Sequence, residues 1–455
     1  MSVSKRNTIW FLGVKVGLTT VILGLMMAYV WIGRVAVPFH GDEADHLYKS
    51  QDFVVYFVKG RPQDLRVHPP VAVDSTEHIR LLTGTTSAYL TGYALWSSHV
   101  YEWPSAWYYG RDVEWNITQG NWPPDDVLQR GRIPATLLAM LSIPLAFGVT
   151  WFLEKEHPGW RLLPGLVAAL LVATHPAWLL SSRRVMQEAA LGTFSLGVVF
   201  VALILVNHWR AKWLLFLSIV SGLCLAAKPP GAITVGGVFL GLGWAQMQAP
   251  LGPPSEATTP PVARLRRGIT LGSAGLLALG VYLILTPAIW GAPVNRLWLA
   301  AELRADVLAG QTAASDAAHA SKLGQLSALV EQPFLSDLQY YETPAFANVL
   351  DQEIADYETA GLDGWQMSSP IGAFWTGMAG LGLVALWRRR SDAEPRVGLI
   401  WVTGIALALG LGVPLAWQRY YLLWSLAACI LAALGLTQAL HWLLRKRIGR
   451  NGRLA

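Results

Sequence analysis

Asp42, Glu43, Asp45 and His46 follow the first apolar run of the chain within five residues. A carboxylate at such a place can take a proton from a hydroxyl nucleophile, and Asp42 and Glu43 are the candidates for that work. Asp42, Asp45 and His46 also share one face of a helix at i, i+3 and i+4, a spacing that suits a divalent cation. No further ligand is identifiable, so a metal requirement stays open. Cations stand at other edges of apolar runs: Arg132, the pair Arg183–Arg184 with Glu188 one turn later, Lys228 before Pro229-Pro230-Gly231, and Arg419 before Tyr420-Tyr421. A cation beside a bilayer is costly unless it snorkels or meets an anion, and phosphate is the anion a membrane supplies. Together these residue types suit group transfer to or from a lipid phosphate, with cations steadying the leaving group.

Each residue also has a plainer reading. Asp42 and Glu43 suit the first turn of a surface helix. Arg183 and Arg184 read equally as snorkelling side chains. Lys228-Pro229-Pro230 breaks a helix pair, and His68-Pro69-Pro70 makes a rigid turn. Asn116-Ile117-Thr118 matches a glycosylation acceptor, a tripeptide common by chance. The functional argument rests on co-location.

The elements that must bring these residues together are membrane helices. Of 455 residues, 53% are hydrophobic and 14% charged, with a mean hydropathy of +0.38. About 25% charged is usual in a soluble domain, so a soluble enzyme is excluded. The net charge of +6 reflects connectors between spans, not a nucleic-acid partner. Cys224 and Cys429 fall inside apolar runs and offer neither a disulfide framework nor a metal cluster. Ten apolar stretches are expected to be transmembrane helices: 8–33, 133–153, 162–181, 185–206, 213–227, 231–247, 268–290, 370–387, 397–417 and 420–444. The first reads as an uncleaved signal anchor.

Alternation from a cytoplasmic N-terminus puts 1–7, 154–161, 207–212, 248–267, 388–396 and 445–455 inside, carrying 18 Lys+Arg against 5 Asp+Glu. Two large loops, 34–132 and 291–369, then lie outside with every unusual polar motif. The expected architecture is all-α and polytopic: an N-terminal bundle over 1–247, a Pro-rich cytoplasmic linker over 248–267, and C-terminal helices over 268–455. The Thr- and Tyr-rich stretch 76–99 is suited to lying on the membrane surface. A carrier would show repeated halves and ionisable groups at mid-membrane. No repeat is visible, and only Lys15 lies well inside a span.

At these motifs the chain resembles the polytopic lipid-linked-sugar glycosyltransferases of the GT-C type, in the branch of protein O-mannosyltransferases and aminoarabinose transferases. The likeness rests on Asp42-Glu43 after the first helix, His68-Pro69-Pro70-Val71, Arg132-Ile133-Pro134, Ser182-Arg183 with Glu188, the Gly-rich helix ending in Lys228, and Arg419-Tyr420-Tyr421, in that order. Val71 replaces the usual Leu, and 71–131 is long and polar. The resemblance implies an inverting transfer of a sugar from a polyprenyl phosphate to a protein, lipid or glycan acceptor outside the cytoplasm. It implies Asp42 as general base with Glu43 in support, and His68 shaping the site. Arg183, Lys228 and Arg419 are implied at the donor phosphate, with Tyr420 stacking on sugar or lipid; Arg132, Arg184 and Glu188 are further substrate-binding candidates. The competing expectations are a non-catalytic membrane subunit that keeps the fold, or a carrier.

Overall fold

The computed structural model describes residues 3–73, 75–156, 158–248, 260–366 and 369–451. Among them no β-strand forms; the backbone is helical, with one isolated bridge between Ala318 and Leu415. The helices are α1 (Val3–Ile32), α2 (Gly41–Lys49), α3 (Thr76–Leu82), α4 (Thr85–Ser97), α5 (Val113–Thr118), α6 (Asp125–Leu153), α7 (Leu162–Thr174), α8 (Pro176–Arg183) and α9 (Glu188–Asn207). They continue with α10 (Ala211–Ala227), α11 (Gly231–Gln248), α12 (Pro260–Leu285), α13 (Pro293–Ala314), α14 (Lys322–Glu331), α15 (Asp351–Thr359), α16 (Ser369–Arg388), α17 (Ala393–Gly412) and α18 (Leu422–Asn451).

All ten expected stretches are helical, but they are not equally suited to crossing a bilayer. Seven, within α1, α6, α9, α12, α16, α17 and α18, are long and apolar enough. The third expected span is broken: α7 and α8 meet at a 59° bend and would count as an eighth. The break follows from His175-Pro176, since a proline cannot continue the preceding helix. His175 instead caps α8, its ring accepting the Trp178 amide at 3.3 Å. α10 is apolar but has only 17 residues, and α11, the expected span 231–247, is not among the helices long and apolar enough. Of the expected linker, 249–259 lie outside the described residues, whereas 260–267 already belong to α12. These helices make the chain an integral, multi-pass membrane protein.

The main core joins α1, α6–α11, α17 and α18 through residues such as Val30, Ile143, Trp178, Leu203, Trp401 and Leu426. Both large loops sit at one end of this bundle and fold onto each other. Phe39, Leu47, Leu95 and Trp107 of the first pack against Phe346 and Leu350 of the second. At the other end the basic connectors meet: Lys155 bonds Asn207 and Glu394, and Arg389 donates to Leu153 O at 3.0 Å. Stretch 76–99 forms α3 and α4, each too short to span as a helix.

Candidate functional site

The site grows from the N-terminus of α2. The first amides of a helix need acceptors, and here His40 supplies one: its Nδ1 accepts the Asp42 amide at 3.1 Å, while Glu43 reaches back to the His40 amide at 3.2 Å. This is a capping box with histidine in place of the usual serine or threonine. Because Nδ1 accepts, Nε2 carries the ring proton and donates it to Glu342 Oε2 at 2.7 Å. A residue of the second loop is thereby fixed beside the first.

The cap aims Asp42 into a chamber of about 470 Å³ between the loops. One Asp42 oxygen accepts the Tyr109 hydroxyl and the other the Arg419 guanidinium. Arg419 also pairs with Glu342 at 3.1 Å. Burial pushes the Asp42 carboxyl upward, but Arg419 together with His40 and the Tyr109 hydroxyl outweighs it and holds the group far below the usual carboxylate range. Glu342 meets the same opposition of burial and Arg419, and falls to about 2. Burial lowers His46 to about 4, so this ring facing the chamber is neutral at pH 7. Burial, then the Asp42 charge, pushes the Tyr109 phenol well up, keeping it a hydrogen-bond donor.

A second cavity, of about 340 Å³, adjoins the chamber and runs between α9, α11, α13, α17 and α18 over Leu191, Ile233, Leu308, Ile405 and Leu423. The two share Leu82, Glu188, Lys228, Arg304, Arg419 and Tyr420. A polar room and an apolar groove therefore meet at three cations. Lys228 is paired with Glu188 at 2.6 Å. Arg304 donates to the Tyr420 hydroxyl at 3.3 Å and makes no ion pair among the described residues. Tyr420 in turn donates to Gln311 at 2.8 Å. This geometry suits an amphiphile with an anionic head at the seam and an apolar tail in the groove.

Of the residues singled out in the sequence, Asp42, Asp45, His46, Glu188, Lys228, Arg419 and Tyr420 are brought together here. Glu43, Arg132, Arg183 and Arg184 lie behind the walls. Glu43 is fully buried, accepting Arg132 bidentately at 2.9 and 2.8 Å and the Val185 amide at 2.7 Å. Arg132 spends another donor on Val37 O at 2.9 Å. Arg183 is fully buried under α1, where its guanidinium donates to Val30 O at 3.0 Å, Tyr29 O at 2.9 Å, the Tyr357 hydroxyl at 2.6 Å and Leu362 O. It satisfies Val30 O, which the end of α1 leaves open, and shares Tyr29 O with the Gly33 amide. Gly33 makes room for it, since a Cβ there would sit 2.1 Å from the guanidinium carbon. Arg184 donates to Pro38 O at 2.9 Å and Tyr340 O at 3.0 Å, tying the two loops together. His68 is exposed and lines neither cavity. Asn116 is fully buried, its amide bonded to Tyr108, Asp112 and Asn121, so the glycosylation tripeptide serves to shape the loop that carries Tyr109.

Asp45 accepts the Trp107 amide at 2.9 Å. Among the described residues no three His, Cys, Asp or Glu side chains are grouped to hold a metal ion. The i, i+3, i+4 set of Asp42, Asp45 and His46 is thus on one helix without forming a metal cage.

Glu342, Tyr109, His40 and Arg304 belong to the site and were not assigned to it from sequence. Glu342 ends the acidic-aromatic stretch 337–342, which is a weak pointer. Arg304 carries none, as one cation among several in a loop helix.

No protein-family model matches the chain, and no curated protein does. Its fold is similar to that of the Archaeoglobus fulgidus oligosaccharyltransferase solved with zinc and sulfate. The two are 12% identical, with a TM-score of 0.51, over 93% of this chain and 49% of that one. ArnT from Cupriavidus metallidurans bound to undecaprenyl phosphate is 12% identical over 92% of this chain and 60% of that one, with a TM-score of 0.46. The chain spans about half the length of the oligosaccharyltransferase. Its architecture is the GT-C type of polytopic helical fold that the ordered motifs led one to expect.

Proposed function

We propose that the protein is an integral membrane glycosyltransferase that moves a sugar from a polyprenyl phosphate to an acceptor outside the cytoplasm. The observation that carries this reading is the shared wall: Lys228, Arg304 and Arg419 stand where the carboxylate-bearing chamber meets an apolar groove of about 340 Å³. The donor phosphate sits on these cations, its prenyl tail in the groove and its sugar in the chamber. An acceptor hydroxyl attacks the anomeric carbon, the bond from that carbon to the phosphate oxygen breaks, and Asp42 takes the hydroxyl proton. One displacement inverts the anomeric centre. The phosphate leaves with the bonding pair and needs no proton, because the three cations stabilise its charge.

In this reading Glu43, Arg132, Arg183 and Arg184 are positioning residues that hold α2, α1 and the loop seam. Glu188 orients Lys228, and Tyr420 holds Arg304. The distribution of basic connectors supports an extracytoplasmic chamber. A protein, lipid or glycan acceptor is accommodated by the same step.

The test is release of polyprenyl phosphate from a polyprenyl-phosphate sugar by the purified protein. Asp42→Asn is expected to lower turnover roughly 10²- to 10⁴-fold while donor binding persists. Undiminished turnover in that variant removes Asp42 as the base. Lipid movement across vesicles without bond cleavage would instead make the protein a carrier.

A further inference from the structure

A further open cavity, away from the chamber, has no part in the proposed reaction. About 880 Å³ in volume, it lies between α16 and α18. The two helices cross tightly through glycines: a Cβ on Gly382 would lie 1.9 Å from Leu431 O, and one on Gly435 would lie 1.8 Å from Met378 O. Beyond the crossing, towards Arg388 and Arg445, the cavity opens. Along α18, at about 1.5 Å per residue, Arg445 stands about 39 Å from Arg419. That exceeds the roughly 30 Å hydrocarbon core of a bilayer, so the cavity and the reaction chamber lie at opposite boundaries. Trp387 and Trp442, exposed beside it, are the residues expected at such a boundary.

Its chemistry is that of an amphiphile site. One wall is apolar, and Leu381, Val384 and Leu443 on it are exposed on the flank of the bundle, where the lipid tails run. The mouth carries Arg388 and Arg445, which make no ion pair among the described residues. The one acidic group lining the cavity, Glu156, is occupied by Gln438 at 3.1 Å and by Arg389 at 3.7 Å. Arg389 is spent on Glu156 and on Asp392 at 3.6 Å, so Arg388 and Arg445 carry the mouth's unpaired positive charge, with Arg390 and Lys446 nearby in sequence.

We infer that this cavity holds one anionic diacyl phospholipid of the leaflet opposite the reaction chamber. Its headgroup phosphate pairs with Arg388 and Arg445, and its acyl chains lie along Leu381, Val384 and Leu443. A basic pocket between membrane helices is suited to such a headgroup. The apolar wall selects a lipid over a soluble phosphate.

The full-length protein, delipidated in detergent, is offered equal amounts of phosphatidylglycerol and phosphatidylcholine and read by native mass spectrometry. A single phosphatidylglycerol adduct is expected to be retained preferentially. R388Q and R445Q should each reduce that preference roughly fivefold, the contribution of one cation near an anionic surface. Ala385→Trp fills the apolar side and leaves both arginines, and it should remove the adduct as well. Inorganic phosphate should not displace the lipid. Equal retention of the two lipids, or an undiminished preference in the double arginine variant, overturns the inference. So does displacement by inorganic phosphate with Ala385→Trp unaffected, which would make this a soluble-anion site. None of these readings depends on glycosyl transfer.

Discussion

If Asp42 is the base of the proposed reaction, it is a poor one in the resting site, because Arg419 and Tyr109 already occupy its two oxygens. A donor phosphate changes this by competing for Arg419. Once the guanidinium turns to the phosphate, the field that held Asp42 down is divided, while its burial persists and a second anion is added. The carboxyl therefore rises towards the pKa a base needs just as substrate arrives. The sign of the consequence is fixed. Free protein keeps Asp42 ionised well below the usual carboxylate range, so kcat/KM stays flat on the acid side through that range. The donor complex has the higher pKa, so kcat falls at a higher pH than kcat/KM. Rate profiles from single-turnover and steady-state assays check this, and coincident acid limbs would mean that Arg419 never leaves Asp42. Glu342 gives a separate expectation for stability. Its folded value of about 2, against 4.5 for an ordinary glutamate, adds at most about 3 kcal/mol above pH 4.5. That contribution disappears as pH falls towards 2, and Glu342→Gln should flatten the acid side of a melting-temperature profile. At this scale the sequence was legible in part. Asp42 and Arg419 stand out because each adjoins an apolar run, where a charge must have a reason. Tyr109 and Glu342 are ordinary loop residues by type, and only the contact between the loops gives them a role.

Helix ends explain where the reading of cations divides. A buried arginine at the edge of a membrane helix can face a ligand or a neighbouring helix's open carbonyls, and residue type and spacing are the same in both cases. Lys228 and Arg419 face the cavities. Arg183 faces the end of α1, with four protein acceptors on its guanidinium. Arg183→Gln leaves those acceptors short of donors in a dry site, where one unsatisfied buried group costs about 1–3 kcal/mol. The variant should lose roughly 3 kcal/mol or more of stability, seen as a lower melting temperature in detergent, with donor affinity unchanged in whatever fraction folds. A variant that melts normally and loses donor affinity would return Arg183 to the phosphate. Gly33→Ala should reproduce the stability loss, because its methyl group would occupy the same space as the guanidinium. The helices themselves were readable because uncharged runs of this length have few alternatives. The bend at His175-Pro176 was not, because 162–181 is continuous in hydropathy and the break is a matter of backbone geometry.

At the scale of the whole molecule, one arrangement governs the rest: both loops at one end, the basic connectors at the other, and a bilayer's thickness between. The fold brings the loops together whichever compartment they face, so orientation rests on charge. The excess of Lys and Arg on the short connectors favours those pieces remaining in the cytoplasm. Cysteine labelling decides it cleanly here, because Cys224 and Cys429 are both fully buried and the unmodified protein should not react with a membrane-impermeant maleimide. Glu102 is exposed in the first loop and Lys212 at the start of α10, on the connector side. In intact cells E102C should be labelled at once, and K212C only after permeabilisation. The reverse pattern would turn the reaction chamber towards the cytoplasm and require a donor whose sugar is presented on that face. Labelling of both in intact cells would mean that the chain does not keep one orientation. The expected pattern leaves the three-cation seam open to a lipid phosphate of the outer leaflet, while the Arg388–Arg445 cavity draws its lipid from the inner one.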